Sequence, residues 1–312
     1  MKKIQILLST YNGEAHLREQ LDSYTKLSNF EDIKVLIRDD GSTDSTRQIL
    51  KEYSEKYGFK IIEGENIGLN ASMHELICAC DLECKYFSFS DQDDVWLPNK
   101  LERAVDMLDK LDDSEPNLYA ACSSITNDSL KVMGKTLYPK RPLTFYNAMI
   151  QNVCVGHTQV CNRELIKLLR PCFSKDIYVN DSWIYTLATA IGHVVYDPQP
   201  TTLYRQHGNN VIGYESSKLK LLMKRLRRLR TGQSRRYSYQ LKAFCELYGG
   251  IIPSKYLNEA NKYFCKQKNF FTRLGYIFTT KMYRQTKLEG IVFRFMYLFG
   301  KYNLKKEKEN SK

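Results

Sequence analysis

The first half of the chain alternates short apolar runs with longer segments in which apolar residues return every three or four positions. The apolar runs predict strands at Ile4–Ser9, Ile33–Ile37, Phe59–Ile62 and Tyr86–Phe89. The longer segments predict amphipathic helices at Glu14–Tyr24, Ser42–Tyr57, Asn70–Ala79 and Pro98–Leu111. This β-α-β repetition predicts an α/β domain with a mostly parallel central sheet flanked by helices.

The pattern loosens after about residue 118 and changes again near residue 215. The segment Lys218–Arg236 contains nine Lys or Arg residues and no acid. Its leucines recur every three or four positions from Leu219 to Leu229, which is typical of a helix lying on an anionic surface. We therefore predict an α/β domain over residues 1–215 and a basic, amphipathic helical region over residues 216–312.

The chain has 312 residues and a net charge of +12, which implies an anionic partner. Its nine cysteines include no C-x-x-C pair, and the apolar run after Met1–Lys3 is too short for a signal-peptide core. No stretch reaches the roughly 20 apolar residues that span a bilayer. We expect a cytoplasmic protein with reduced thiols, able to lie on a membrane without crossing it.

Three polar clusters each follow a predicted strand directly: Thr10–Gly13, Asp39–Ser42 and Asp91–Asp94. In open α/β sheets, ligands bind at the carboxyl ends of the strands. We therefore expect the three clusters to meet at one edge of the sheet and to form a ligand site there.

Asp91 and Asp93 are carboxylates one residue apart on a turn after a buried strand. Both can point at one hard cation, so the pair predicts Mn²⁺ or Mg²⁺ with coordination positions left for diphosphate oxygens. Taken alone, the same residues also fit a solvated acidic turn that caps the next helix.

Three other segments also place polar side chains on predicted loops. Asp39 and Asp40 can accept hydrogen bonds from a base N–H or from ribose hydroxyls. Asp181 begins a predicted helix and is a candidate general base. Arg205 and His207 lie in a glycine-containing loop that can close over a diphosphate. Each segment alone also fits a structural interpretation, as a capped turn, an N-cap aspartate or an ordinary polar loop.

Together and in this order, the motifs resemble the family-2 glycosyltransferases, which have the GT-A fold. The resemblance covers most of residues 4–213 and rests on Leu8–Gly13, Arg38–Asp44, Ser90–Pro98, Asn180–Trp183 and Tyr204–Gly213. The last three motifs resemble a bacterial rhamnosyltransferase-like subgroup that works on O-antigen, capsule and other wall polysaccharides.

The resemblance implies that Asp181 deprotonates the acceptor hydroxyl, while Asp91 and Asp93 hold the metal and the diphosphate. One departure is Asn180, which stands where the subgroup often has histidine; the base itself is unaffected. The donor-binding residues that the motifs and the resemblance indicate are Thr10, Tyr11, Asn12, Asp39, Asp40, Asp91, Arg205 and His207.

The expected function is inverting transfer of a sugar from a nucleotide-diphosphate donor (dTDP-rhamnose or a UDP-hexose) to a glycan acceptor, which the resemblance implies is lipid-linked. A sugar-nucleotide pyrophosphorylase is an alternative, but the first strand is followed by a single glycine, Gly13, rather than a Gly-rich loop. A non-catalytic scaffold that binds glycans or nucleotide sugars is another. A nucleic-acid partner is not expected, because the cations concentrate after residue 215 and the predicted cleft is acidic.

Residues 216–312 are predicted to hold the enzyme peripherally on the inner face of the cell membrane. Aromatic residues suited to a membrane interface follow the basic segment: Phe270, Phe271, Tyr276, Phe278, Phe293, Phe295 and Tyr297. The alternative is a helical appendage that packs on the catalytic domain and exposes a solvated basic face.

Overall fold

The computed structural model describes residues 3–206 and 234–304. Three features of the sequence analysis therefore lie outside the described residues: His207, most of the basic segment Lys218–Arg236, and the predicted domain boundary near residue 215.

The chain forms two compact units. The first contains residues 3–138, 152–173 and 179–206, and the second contains residues 139–151, 174–178 and 234–304. The second unit therefore includes two short segments from the middle of the chain, which the sequence pattern does not predict.

Eleven strands lie in the described part of the first unit. In chain order they are β1 (Ile4–Thr10), β2 (Ile33–Asp39), β3 (Lys60–Glu63), β4 (Tyr86–Ser90), β5 (Val95–Trp96), β6 (Asn117–Ala121), β7 (Ser124–Thr126), β8 (Val132–Lys135), β9 (Val160–Asn162), β10 (His193–Asp197) and β11 (Thr202–Arg205). The large sheet has the order β10-β6-β9-β4-β1-β2-β3, and the small one has the order β5-β11-β7-β8.

The helices flank these strands or follow them along the chain. In chain order they are α1 (Leu17–Thr25), α2 (Thr46–Tyr57), α3 (Leu69–Ala79), α4 (Lys100–Leu108), α5 (Phe145–Ala148), α6 (Arg163–Leu169), α7 (Asn180–Ile191), α8 (Ser234–Tyr248), α9 (Ser254–Cys265), α10 (Phe270–Thr279) and α11 (Lys287–Leu298). None of these described helices is long and apolar enough to cross a bilayer.

The large sheet is mostly parallel, as the sequence predicts. All seven residues of β1 are buried, which is expected of a strand covered on both faces. β1 pairs in parallel with β2 and with β4, and both pairs bring strand ends with polar loops to the same edge. The sequence does not predict β9, which runs antiparallel between β4 and β6, or the small second sheet.

Two helices begin three or four residues later than their apolar pattern predicts. α1 begins at Leu17 rather than Glu14, because the carbonyl of Gly13 closes a turn by accepting from the N–H groups of His16 and Leu17. α2 begins at Thr46 rather than Ser42. The residues just before it bind the first loop, since Ser45 N–H donates to the Glu14 carboxylate at 2.9 Å. The polar residues of the two loops hydrogen-bond to each other instead of extending the helices.

The second unit is built around aromatic side chains. Tyr263, Tyr276, Phe293 and Tyr297 are buried in its core, and the Tyr297 hydroxyl donates to the carbonyl of Tyr263 at 2.6 Å. The expectation that Tyr276, Phe293 and Tyr297 face a membrane interface is therefore wrong. These three rings pack inward, because each lies on the helix face that meets the neighbouring helices.

Candidate active site

The three predicted loops do meet at the carboxyl edge of β1, β2 and β4. Gln92 joins the first loop to the third. Its Oε1 accepts from the Thr10 hydroxyl at 2.6 Å and from the N–H of Tyr11 at 2.9 Å. Its Nε2 donates to the carbonyl of Tyr11 at 3.2 Å. Gln92 therefore fixes the backbone of Tyr11, and the side chain of Tyr11 is half exposed at this edge.

Asn12 joins the first loop to the second. It has a left-handed backbone with φ of 46°, a conformation that asparagine tolerates better than most residues. Its N–H donates to the Ser42 hydroxyl at 2.9 Å, and its side-chain oxygen accepts from the N–H of Thr43 at 2.8 Å. Thr10 and Asn12 thus act within this edge by holding the loops together.

Asp39 and Asp40 are both buried and both have protein partners. Asp39 accepts from the N–H of Ser42 at 3.1 Å and from Arg47 at 2.9 Å. Asp40 accepts from the N–H groups of Ile67 and Gly68, each at 2.9 Å, and pairs with Arg38 at 2.5 Å. These contacts give the pair a structural part in shaping this edge of the sheet. Direct contact with a nucleoside stays a prediction.

Asp91 lies in a group with two residues that the motif analysis did not select, Asp94 and His157. The His157 Nδ1 is 3.6 Å from an oxygen of each carboxylate. The ligand atoms of the three residues all lie within 4.8 Å of one another. Asp94 and His157 are almost fully buried, whereas Asp91 is partly exposed.

Two atoms of this group lack a hydrogen-bond partner among the described residues: Asp94 Oδ2 and His157 Nδ1. Such buried, unsatisfied atoms are costly unless something else binds them. The 3.6 Å separation is too long for a strong hydrogen bond. It is close to the roughly 3 to 3.5 Å between neighbouring ligands of a cation bound at about 2.1 Å. The group therefore fits a divalent cation.

The electrostatics of the group agree with this geometry. Burial raises the pKa of Asp94 well above its usual range. Burial opposes the charging of His157, but the neighbouring carboxylates of Asp94 and Asp91 outweigh it and raise the pKa of the imidazole. The negative charge of the two carboxylates thus lies where it is poorly solvated, and a bound cation would neutralise it.

The side chains of Lys100, Trp96 and Tyr204 pack beside this group. Lys100 Nζ donates to the carbonyl of His157 at 2.8 Å and lies 4.4 Å from the centre of the Trp96 ring. The Tyr204 ring stacks on His157 with centroids 4.5 Å apart. Burial lowers the pKa of Lys100 to about 7. Trp96 is 2% exposed, so it packs beneath the loop rather than lining a sugar pocket.

Asp93 and Arg205 meet on the other side of the same loop. Arg205 is buried, and its Nε donates to the backbone carbonyl of Asp93 at 2.9 Å while its own N–H donates to Asp94 Oδ1 at 3.1 Å. Its remaining nitrogens bind Glu19 and the carbonyl of Asp128. Arg205 therefore anchors the acidic loop. Binding of a diphosphate by Arg205, like binding of a metal by Asp93, stays a prediction.

Asp181 lies in the first turn of α7, as the sequence predicts. Its Oδ2 accepts from the N–H of Gly156 at 3.1 Å, and its Oδ1 accepts from the N–H of Ser182 at 2.7 Å. Burial raises the pKa of Asp181 to about 6, and the charge of Asp91 acts in the same direction. A carboxylate with such a pKa is ionised at neutral pH yet basic enough to accept a proton.

Four residues of this site were missed from the sequence: Gln92, Asp94, Gly156 and His157. In the sequence, Asp94 is one of several acids in the cluster and Gln92 is the residue between Asp91 and Asp93, so neither is distinguished from its neighbours. Nothing local distinguishes Gly156 and His157, because their partners lie 25 and 66 residues away. Only the fold brings them to the acids.

A mostly parallel α/β sheet with acidic loops at its carboxyl edge is the arrangement expected of nucleotide-sugar-dependent transferases. Residues 5–169 match the family model described as glycosyl transferase family 2. The chain belongs to that family, and its first unit has the corresponding GT-A fold.

The matching relatives refine this assignment. The chain is 32% identical over 219 residues to the dTDP-rhamnosyl transferase RfbG of Shigella flexneri, covering 66% of this chain and 73% of that protein. It is 31% identical over 128 residues to an uncharacterized glycosyltransferase of Rickettsia prowazekii, covering 40% and 38%. Among solved structures, S. aureus TarS 1–349 in complex with UDP matches with a TM-score of 0.57 at 14% identity, over 96% of this chain and 89% of that one. The chain is thus a nucleotide-sugar glycosyltransferase similar to a rhamnosyltransferase.

Proposed function

We propose that the protein is an inverting, divalent-cation-dependent glycosyltransferase that moves a sugar from a nucleoside-diphosphate donor to a hydroxyl of a lipid-linked glycan. The observation that carries the proposal is the half-buried carboxylate of Asp181, oriented by Gly156 and coupled electrostatically to Asp91. The relative named a dTDP-rhamnosyl transferase supports dTDP-rhamnose as donor, with a UDP-hexose as the second candidate.

In the proposed reaction, the acceptor oxygen attacks the anomeric carbon as Asp181 removes its proton. The new bond from this oxygen to the sugar forms on the face opposite the bond to the diphosphate, which breaks with its electron pair leaving on the nucleoside diphosphate. Asp181 ends protonated and loses its proton to water. A single displacement of this kind inverts the configuration and needs no covalent sugar–enzyme intermediate.

A divalent cation, Mn²⁺ or Mg²⁺, would supply positive charge against the diphosphate as negative charge builds on it. Asp91 is the ligand shared by both candidate sets. The resemblance pairs it with Asp93, whereas the geometry groups it with Asp94 and His157. Two carboxylates with one imidazole suit Mn²⁺ better than Mg²⁺, since magnesium prefers oxygen ligands.

The donor nucleoside is proposed to lie beside the partly exposed ring of Tyr11. Gln92 holds the backbone of Tyr11 at the edge of the sheet, Asn12 binds the neighbouring loop through Ser42, and Asp40 orders the Ile67–Gly68 turn. The partly exposed ring that this backbone presents can stack on a base. Asp39, Arg205 and Thr10 would then act by keeping these loops in place.

We further propose that the product is part of a capsule, O-antigen or wall polysaccharide, built on the inner face of the cell membrane. The support is the similarity to a rhamnosyltransferase, together with the net charge of +12, which favours an anionic surface. In this proposal the enzyme is peripheral and meets a lipid-linked acceptor in the plane of the membrane.

The proposal is tested by incubating the purified full chain with a panel of nucleotide sugars and membrane extract, with and without Mn²⁺. Release of nucleoside diphosphate from one donor, abolished by chelator and restored by the ion, is the expected result. Two alternatives give different results. A non-catalytic scaffold releases nothing with any donor and metal. A pyrophosphorylase instead makes nucleotide sugar from a sugar phosphate and a nucleoside triphosphate.

A further inference from the structure

We propose that the exposed apolar faces of α10 and α11 form the surface that enters the interface of an anionic membrane. This inference rests on the proposed peripheral location, and it assigns that location to particular side chains. The surface, called the apolar face below, consists of Phe271, Phe278, Leu288, Ile291, Phe295 and Phe299.

The large apolar side chains of this face are unusually exposed. Phe271 and Phe278 are each 80% exposed, and the other four members are each more than half exposed. A single exposed apolar residue is ordinary, but a contiguous group of this size marks an interaction site. Among the described residues, nothing covers these six side chains.

Helical spacing places the members in two rows. Leu288, Ile291, Phe295 and Phe299 are separated by three, four and four residues, so they share one side of α11. Phe271 and Phe278 are seven residues apart and share one side of α10. α11 is therefore apolar on its exposed side as well as on its buried side, which is not expected of a helix facing water.

Two hydrogen bonds set the helices antiparallel. Arg273 donates to the carbonyl of Leu298 at 2.8 Å, and Arg294 donates to the carbonyl of Ile277 at 3.0 Å. In this register Phe271 lies at the level of Phe299, and Phe278 lies near the level of Ile291 and Phe295. The two rows thus run alongside each other for the length of the helix pair.

The inner side of the pair is fixed, so the apolar face cannot turn inward. The rings of Tyr276 and Tyr297 lie 4.9 Å apart in the core of the unit. Both helices also have N-caps, since the side chains of Asn269 and Thr286 accept from the N–H groups of Thr272 and Glu289. Rotating either helix to hide its phenylalanines would expose the buried tyrosines and break these contacts.

The net positive charge of the chain segment that carries the face favours an anionic surface over a second copy of this chain. Residues 270–304 contain six cations and one acid. That acid, Glu289, has its carboxylate 3.9 Å from Arg284, which offsets its charge. A second copy of this chain would bring cations against cations. An anionic leaflet attracts them, and phenylalanine is suited to its interface.

A small cavity in the face gives further support. It has a volume of about 290 Å³ and is lined by Phe295, Met296, Phe299 and Lys301. Its lining of three apolar side chains and the lysine suits an apolar group such as an acyl chain. The same chemistry makes the cavity a poor site for a purely polar ligand.

The test is flotation of the full-length protein with vesicles of phosphatidylcholine alone or mixed with phosphatidylglycerol. The variant is Phe271→Ser with Phe278→Ser. The matched control is Met133→Ser with Leu137→Ser, which removes two exposed apolar side chains from the first unit. We expect binding only with phosphatidylglycerol, roughly tenfold weaker partitioning for the phenylalanine variant, and little change for the control.

Several outcomes would overturn the inference. If the phenylalanine variant and the control bind anionic vesicles equally well, the apolar face does not insert, although the peripheral location survives. If the wild-type chain does not bind anionic vesicles at low salt, both the insertion of the apolar face and the proposed peripheral location are wrong. If light scattering shows a dimer that the phenylalanine variant abolishes, the occupant is a second copy. Donor turnover of the variant, measured without vesicles, should equal that of the wild type; a loss would show instead that the substitutions damage the fold.

Discussion

The backbone N–H of Gly156 donates a 3.1 Å hydrogen bond to the carboxylate of Asp181. The next residue, His157, places its Nδ1 3.6 Å from a carboxylate oxygen of Asp91. One short turn, Gly156–Thr158, thus connects the proposed general base with the proposed cation site. A change in this turn is expected to disturb proton transfer and leaving-group stabilisation together.

Replacing Asp181 by Asn should lower the rate at saturating donor by roughly 10²–10⁴-fold, the usual contribution of a general base. The amide keeps the size of the side chain but cannot take the proton. Donor affinity, measured by calorimetry with the nucleoside diphosphate, should change little. Asp176→Asn, which alters an exposed acid in the second unit, is the control. A variant that loses donor affinity but keeps its rate would show that Asp181 is not the base.

Replacing Gly156 by Ala should also lower the rate, because the new methyl carbon would lie 3.3 Å from the Cβ of Asp181. The base would have to shift away from its hydrogen bond with the Gly156 N–H. Gly250→Ala is the matched control, since a Cβ there meets no atom within 4 Å. Equal activity of the two variants would mean that the position of Asp181 is not critical.

The pH profile should report the raised pKa of Asp181, about 6. The base works only when ionised, so kcat/KM should be flat above pH 7 and fall about tenfold per unit below pH 6. Rates are measured at saturating Mn²⁺ across the acid limb. The residual activity of Asp181→Asn should lack this limb. A wild-type limb near pH 4, the ordinary range of aspartate, would contradict the assignment.

Direct binding of Mn²⁺, followed by electron paramagnetic resonance, separates the two candidate ligand sets. If Asp94 and His157 complete the site, Asp94→Asn and His157→Gln should each weaken binding by at least roughly 10–100-fold, the effect seen even for outer-shell residues. Asp93→Asn should then bind nearly normally. The reverse pattern would favour the Asp91–Asp93 pair and leave Asp94 and His157 as a buried ion pair.

Those regions of the fold that repeat β and α segments could be predicted from the sequence, because burial on both faces leaves a mostly apolar run such as Ile33–Ile37. The meeting of three loops at one edge followed from the parallel order of β1, β2 and β4. β9 could not be predicted, since three residues carry too little periodicity, and its antiparallel direction depends on which strands it joins.

For the site, residue type and position after a strand indicated Asp91 and Asp181. They did not indicate whether each side chain is exposed or is buried and bonded to protein. Asp40 and Arg205 look like ligand-binding residues in the sequence, yet both are buried and bonded to protein. Likewise, the aromatic residue type alone could not distinguish buried Tyr297 from exposed Phe295, which lie two positions apart and therefore on opposite sides of the helix.

Single displacement with Asp181 as base is tested most directly by the anomeric configuration of the product. The product made from one defined donor is examined by NMR, using the coupling constants at the transferred anomeric centre. A single displacement gives a configuration inverted relative to the donor. A retained configuration would contradict it, because retention requires either a second displacement or attack from the face of the leaving diphosphate.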